Sequence, residues 1–195
     1  MKKLLLILIL LTVKTFAIDP PAEKATGVFL AFGVGPRLPL GNLSNSTDLG
    51  YGFNLEVSYT DNEHLPFFVF AKVGFEQYPG SQTFYQETPY SNFSTNSLPV
   101  NIGIRYYFPP LLEKVVLLIP VAEFSASFTY FQKLHEFKAG SNRTNYKEDL
   151  IKLGATAGFG ISMFLMEIMA DYHYLENNQF ISIDLRVRIP LYINL

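Results

Sequence analysis

Apolar and polar residues take turns along most of this chain, and the pattern is plainest at its end. From Ile181 onward, Ile181, Ile183, Leu185, Val187, Ile189, Leu191, Ile193 and Leu195 fall on one face. Ser182, Asp184, Arg186, Arg188, Pro190, Tyr192 and Asn194 fall on the other. A period of two makes a β-strand with one aliphatic and one polar face. About 14 such residues reach roughly 47 Å, far beyond an ordinary globular strand.

The same alternation predicts seven more strands. They cover 27–37, 50–60, 67–78, 98–108, 115–131, 149–162 and 166–174, with the closing strand at 179–195. The second sets Tyr51, Phe53, Leu55, Val57 and Tyr59 against Gly52, Asn54, Glu56, Ser58 and Thr60. The sixth sets Ile151, Leu153, Ala155, Ala157, Phe159 and Ile161 against Lys152, Gly154, Thr156, Gly158, Gly160 and Ser162. Pro120 cannot donate to a ladder, so a bulge or strand start is expected there, and Pro99 and Pro190 raise the same expectation. Connections alternate in length. They are long after strands one, three and five, and short after two, four and six, with a brief LENN turn after the seventh.

Eight strands of this kind close into a barrel, and parity alone leaves open which face looks inward. A secreted lipocalin-like barrel buries the apolar face around a ligand, whereas a membrane barrel turns it outward to lipid. Three features favour the membrane. The connections fit short turns on one side and long loops on the other. The polar face carries Gly52, Gly74, Gly103, Gly154, Gly158 and Gly160, which make room in a cramped interior. Aromatic residues on the apolar face gather at the strand ends. Tyr51, Phe75, Phe128, Tyr172 and Tyr174 lie at one end, and Tyr59, Phe67, Tyr106 and Phe108 at the other, as two interfacial girdles do.

Composition sharpens this reading. The chain is 49% hydrophobic but only 16% charged, against the usual quarter or so, and no internal apolar run is long enough for a spanning helix. Lys2 and Lys3, the run Leu4–Leu11 and the Thr15-Phe16-Ala17 site read as a secretory signal cleaved after residue 17. Cleavage leaves 12 basic and 17 acidic residues, net −5, which gives nucleic acid no basic surface to bind. Cysteine is absent, so there is no disulfide framework and no thiolate site. No His/Asp/Glu spacing suggests a metal, and no cofactor motif is present. The expected organisation is a signal peptide at 1–17, a periplasmic linker at 18–26 and a barrel domain at 27–195. The fold class is all-β, an eight-stranded antiparallel up-and-down transmembrane β-barrel.

The signal peptide, the eight alternating strands and the PLGNLS loop before GYGFNLEVSY resemble the small OmpA-like and OmpX-like barrels of the outer membrane protein beta-barrel domain family. That resemblance implies a bacterial outer-membrane location after export through the periplasm. It also implies contact with lipid and lipopolysaccharide, and handling by the outer-membrane insertion machinery. The closing strand is similar to the signal that machinery reads, although Pro190 and Leu195 stand where glycine and an aromatic residue are usual.

The inward face would hold Glu56, Lys72, Glu76, Arg105, Glu123, Lys152, Glu167, Asp171, His173, Asp184, Arg186 and Arg188. Six acids against five bases and a histidine favour a salt-bridge network filling a lumen that is only wide enough for side chains. His173 also carries an enzymatic alternative. Some small outer-membrane barrels are lipid A deacylases or acyltransferases, with Ser182 and Asp184 as cross-strand candidates here. Yet His173-Tyr174-Leu175-Glu176 lacks the serine that the deacylase family places two residues after its histidine. The favoured role is non-enzymatic, structural or surface-binding, through the long loops at 79–96 and 132–148. The first of these carries Phe84, Tyr85, Tyr90 and Phe93 for an extracellular partner.

Overall fold

Alternation becomes a closed cylinder in the computed structural model, which describes residues 26–61, 64–111 and 118–194. The expected signal peptide, the linker apart from Thr26 and part of the 109–114 turn lie outside the described residues. The strands are β1 (Thr26–Leu40), β2 (Gly50–Asp61), β3 (Leu65–Pro79), β4 (Tyr90–Tyr107), β5 (Ile119–Phe137), β6 (Tyr146–Met163), β7 (Met166–Leu175) and β8 (Gln179–Asn194). Each pairs antiparallel with its chain neighbour, and β8 returns to β1 to close the ring.

Burial follows parity. Along β2 every second residue is buried and its neighbours are exposed, and β7 behaves the same way. The exposed set is Phe53, Leu55 and Val57 on β2, Val100, Ile102 and Ile104 on β4, and Leu185, Val187 and Ile189 on β8. The buried set includes Glu56, Arg105 and Arg186. The apolar face therefore looks outward, which rules out a lipocalin-like interior. A water-facing belt of this kind would aggregate, and a bilayer is the solvent that suits it. Tyr51, Phe128, Tyr172 and Tyr174 rim the belt at the loop end, and Tyr59, Tyr106 and Phe108 at the turn end. Tyr51 donates to Gln77 at 2.8 Å and Tyr172 to Gln179 at 2.9 Å, so these rings meet lipid while their hydroxyls stay satisfied.

Four strands outrun the sequence expectation by several residues at the loop end, β1 by residues 38–40. Residues 90–97 form the start of β4, and 132–137 and 146–148 extend β5 and β6. The supposed loop at 79–96 is thus a six-residue helix, α1 (Gln82–Glu87), followed by strand. The loop at 132–148 shrinks to 138–145. The reason is physical. Above the belt the outward residues Asn92, Ser94 and Asn96, Gln132 and Glu136, and Lys147 and Asp149 meet water, so the apolar alternation stops although pairing continues. The ladder from Tyr90↔Phe137 to His135↔Tyr146 forms a three-stranded blade above the membrane belt.

The prolines behave as their missing N–H requires. Pro120 is the second described residue of β5 (Ile119–Phe137), and the expected start near residue 115 lies outside the described residues. The β3–β4 ladder passes from Val73↔Val100 to Glu76↔Ser97, skipping Pro99. At Pro190 the register slips, with Phe29 opposite Pro190 and Val28 opposite Tyr192. Beyond that bulge, Leu191, Tyr192, Ile193 and Asn194 are all exposed. The unbroken two-faced strand expected to the C-terminus therefore ends at Ile189.

Candidate functional site

Side chains of the described residues fill the barrel interior in layers. At the turn end Phe29, Phe68 and Tyr107 pack together, tilted and edge-on, with ring centroids 5.6 and 4.9 Å apart. The Arg188 guanidinium covers both Phe68 and Tyr107. At the loop end Leu43, Tyr78, Phe131, Leu175 and Phe180 form an apolar lid, with Leu150 against it. Between these plugs lies the charge network.

Its hub is Glu123 on β5. Arg105 Nε donates to it at 2.9 Å, Arg186 Nη1 at 2.8 Å and Lys72 Nζ at 3.0 Å. Arg105 also grips Glu56 with both terminal nitrogens, at 2.6 and 2.7 Å, a bidentate fork that fixes orientation as well as charge. Arg186 reaches Asp171 at 2.5 Å, and Arg188 reaches Glu167 and Glu56 at 3.1 and 3.2 Å. Tyr107 donates to Glu167 from the turn-end plug. Nearer the lid, Arg37 holds Glu76 at 3.0 Å and Asp184 at 2.8 Å, and Ser97 and Tyr78 donate to Glu76. Desolvating so many charges is costly, and only dense pairing and hydrogen bonding offset it.

Glycines give these side chains their room. A Cβ at Gly33 would lie 2.7 Å from Asn54 Oδ1 and 2.9 Å from Arg186 Cγ. One at Gly158 would run into Asp171 Oδ1 and approach Glu123 Cγ to 3.0 Å. Among the described residues a polar cavity of about 10 Å³ lies between Arg37, Lys72, Glu76, Asn101, His173 and Asp184. That is the space of about one water. Asn54 Oδ1 and Asn101 Oδ1, both at this cavity, have no partner from the protein.

Eleven of the twelve expected lumen residues are buried inside, and Lys152 is the exception. It sits half-buried at the loop-end mouth, 3.8 Å from the exposed Glu176. Arg37 takes the place of fifth internal cation. Its strand, GVFLAFGVGPRLPL, is apolar on both faces apart from this residue, so its parity carried little signal. The spacing Ala31, Gly33, Gly35, Arg37 would have revealed it.

His173 lies between Thr156 Oγ1 and Ser182 Oγ, each 3.1 Å from a ring nitrogen, with Phe180 stacked on it at 4.1 Å. Asp184, the other candidate partner, is taken by Arg37 and Asn54. The arrangement contains a Ser–His contact, but it is sealed beneath the lid and lacks an acid on the imidazole. Among the described residues no cluster of His, Cys, Asp or Glu could hold a metal.

In the blade, Phe84, Tyr85, Tyr90 and Phe93 do come together. Phe84 stacks on Tyr90 at 5.0 Å and lies 5.3 Å from Phe93, and Tyr85 donates to the Phe93 carbonyl at 2.8 Å. The cluster continues through Tyr90 to Phe137 at 4.6 Å, and His135 lies flat on Tyr146 at 4.3 Å. Burial pushes the Tyr90 phenol up. Phe93 is buried, and Phe84, Tyr85 and Tyr90 are half-buried, so these rings act first as the small core of the blade. At its foot Tyr130 donates to Asp149 at 2.7 Å, and that bond holds the Asp149 carboxyl below the usual range.

No known protein family matches the chain, and no curated protein matches it in sequence. Among solved structures it is similar to Ail, the attachment invasion locus protein of Yersinia pestis. The identity is 15% and the TM-score 0.48, over 86% of this chain and 99% of that one. Neisserial surface protein A gives 14% and 0.48 over the same shares. A de novo designed transmembrane β-barrel gives 16% and 0.38, over 88% of this chain and 100% of the design.

Proposed function

We propose that the protein is an integral barrel of the bacterial outer membrane, non-enzymatic, which anchors an interaction surface above the bilayer. The observation that carries this reading is the contrast between its two parts. Among the described residues the lumen is filled by two ring-rich plugs around a paired charge network. The β4–β6 blade instead rises past the belt with polar residues on its outer side. Lipid and lipopolysaccharide surround the belt in this reading, the insertion machinery assembles it, and an extracellular partner meets the loop end.

Whole-cell proteolysis tests the orientation. Trimming confined to 80–89 and 138–145 in intact cells is the expected result. Resistance in the cell with cleavage only after lysis would invert the topology.

The lipid A-modifying alternative draws its support from the Thr156–His173–Ser182 contacts alone. Acyl chains in the bilayer cannot reach a serine enclosed under Phe180 and the lid. The expected lipid A mass profile is therefore identical in cells making wild type, cells making Ser182→Ala and cells lacking the protein. A missing or added acyl chain that depends on Ser182 would establish the enzyme.

A further inference from the structure

The barrel wall has a gap at the loop end. The last rung between β6 and β7 is Gly154↔Leu175, yet β6 runs on to Tyr146, paired with β5 alone. The β7–β8 turn stops short because Asn177 adopts φ 62° and Asn178 N–H closes back on the Leu175 carbonyl at 3.1 Å. Asparagine tolerates that left-handed backbone better than other side chains. The β1–β2 loop leans across the gap, and Asn42 Nδ2 donates to Asn177 Oδ1 at 2.8 Å.

The result is a cleft of about 300 Å³, at the small end of the range of about 300–1,000 Å³ usual for ligand sites. Its floor is the half-buried Leu150, set over the buried Leu43 of the lumen lid. Its walls are Asn42, Ser46, Asn177 and Asn178 on one side and Lys133, Glu148 and Lys152 on the other. Lys133 makes no ion pair among the described residues, and Lys152 has only the long contact to Glu176. Glu148 faces His135 Nε2 at 3.2 Å with part of its carboxylate still exposed.

Two lysines against Glu148 and the neighbouring Glu176 leave the cleft close to neutral, so it has no field to select an anion or a cation. It offers instead donors and acceptors interspersed around an aliphatic floor. A pyranose needs that combination: its hydroxyls both donate and accept, and its C–H face packs on apolar carbon. We propose that this cleft binds one uncharged sugar unit of a glycan. The proposal rests on the reading that the loop end faces outward. It names the chemistry of the partner there: neutral hydroxyl-rich saccharide, either in cis on lipopolysaccharide of the same membrane or in trans on another surface.

The test is an amide NMR titration of the refolded barrel in a phosphocholine detergent, since a maltoside would itself present a sugar. The probes are glucose, galactose, mannose and N-acetylglucosamine, with glucose 6-phosphate and inorganic phosphate as the charged arms. Saturable shifts at Asn42, Lys133, Lys152, Asn177 and Asn178 with at least one neutral sugar are expected. Lys133→Met and Lys152→Met should each weaken binding by about tenfold, while Lys138→Met on the blade tip leaves it unchanged. Both lysines are side chains at the mouth, and unchanged heat-dependent gel mobility confirms that the variants fold.

The proposal is overturned if no neutral sugar saturates the site, if both lysine variants bind as wild type, or if phosphate alone competes as well as any sugar. Nanodiscs carrying full-length or sugar-truncated lipopolysaccharide then separate the sources. Shifts that appear only with the full-length form place the ligand in cis, and binding retained only for free oligosaccharide places it in trans. Because purified protein and free sugar are used, failure here leaves the membrane orientation intact, which proteolysis tests separately.

Discussion

Glu123→Gln should destabilise the barrel by about 3–5 kcal/mol, the usual cost of leaving buried charges without their partner. Glu123 is the acid on which Lys72, Arg105 and Arg186 converge. The amide fills the same volume but cancels the one charge that all three share. Arg105 retains Glu56, and Arg186 retains Asp171, so the loss is concentrated in cation–cation repulsion around the hub. The chain has no tryptophan, so refolding into vesicles is followed by gel mobility of unheated samples across a urea series. The variant should unfold at markedly lower urea, and Glu123→Gln combined with Arg186→Met should recover part of the loss. An unchanged urea midpoint for the single variant would show that the network is not a coupled unit.

The second large effect concerns the outer face. Leu55 lies midway between Tyr51 and Tyr59 on β2, on the exposed parity. Leu55→Arg should cost about 2–4 kcal/mol in a bilayer, while Tyr59→Arg at the rim should cost about 0–1 kcal/mol. The gradient is the informative quantity, because depth in hydrocarbon sets the penalty. Equal, small costs at the two positions would mean that the face meets water, and the membrane reading would fall.

How much of this was legible beforehand follows from where solvent contrast exists. Within the belt one face meets lipid and the other a polar interior, so Leu55 and Glu56 announce opposite sides without any structure. Eight strands and most of the lumen residues followed from that contrast. In the blade the outer face is polar and the inner face mixes rings with Thr95 and Ser97, so Tyr90–Ser97 shows no clean alternation although Phe93, Thr95 and Ser97 point inward and are buried. In β1 both faces are apolar, and Arg37 was missed for the opposite reason. Pro190 marks a break in the ladder from the sequence alone, but the exposure of Tyr192 beyond it depends on the register shift. The cleft was out of reach altogether. It is assembled from a turn, a loop and two strands whose relative heights depend on register, and register is not written in any single segment.

The ion pairs also set the order in which the molecule can become stable. Arg37 finds Asp184 across 147 residues of chain, Asn54 finds Asp184 across 130, and Arg188 finds Glu56 across 132. Asp184, Arg186 and Arg188 all arrive on β8, the last strand, so a partly wound sheet would present Glu56, Glu123, Glu167 and Asp171 to hydrocarbon with only Lys72 and Arg105 to offset them. Ring closure, charge neutralisation and removal of the last open strand edge therefore coincide in one step. Assembly of this protein should show no long-lived half-inserted species, and a truncation before β8 should never leave the aqueous side of the membrane.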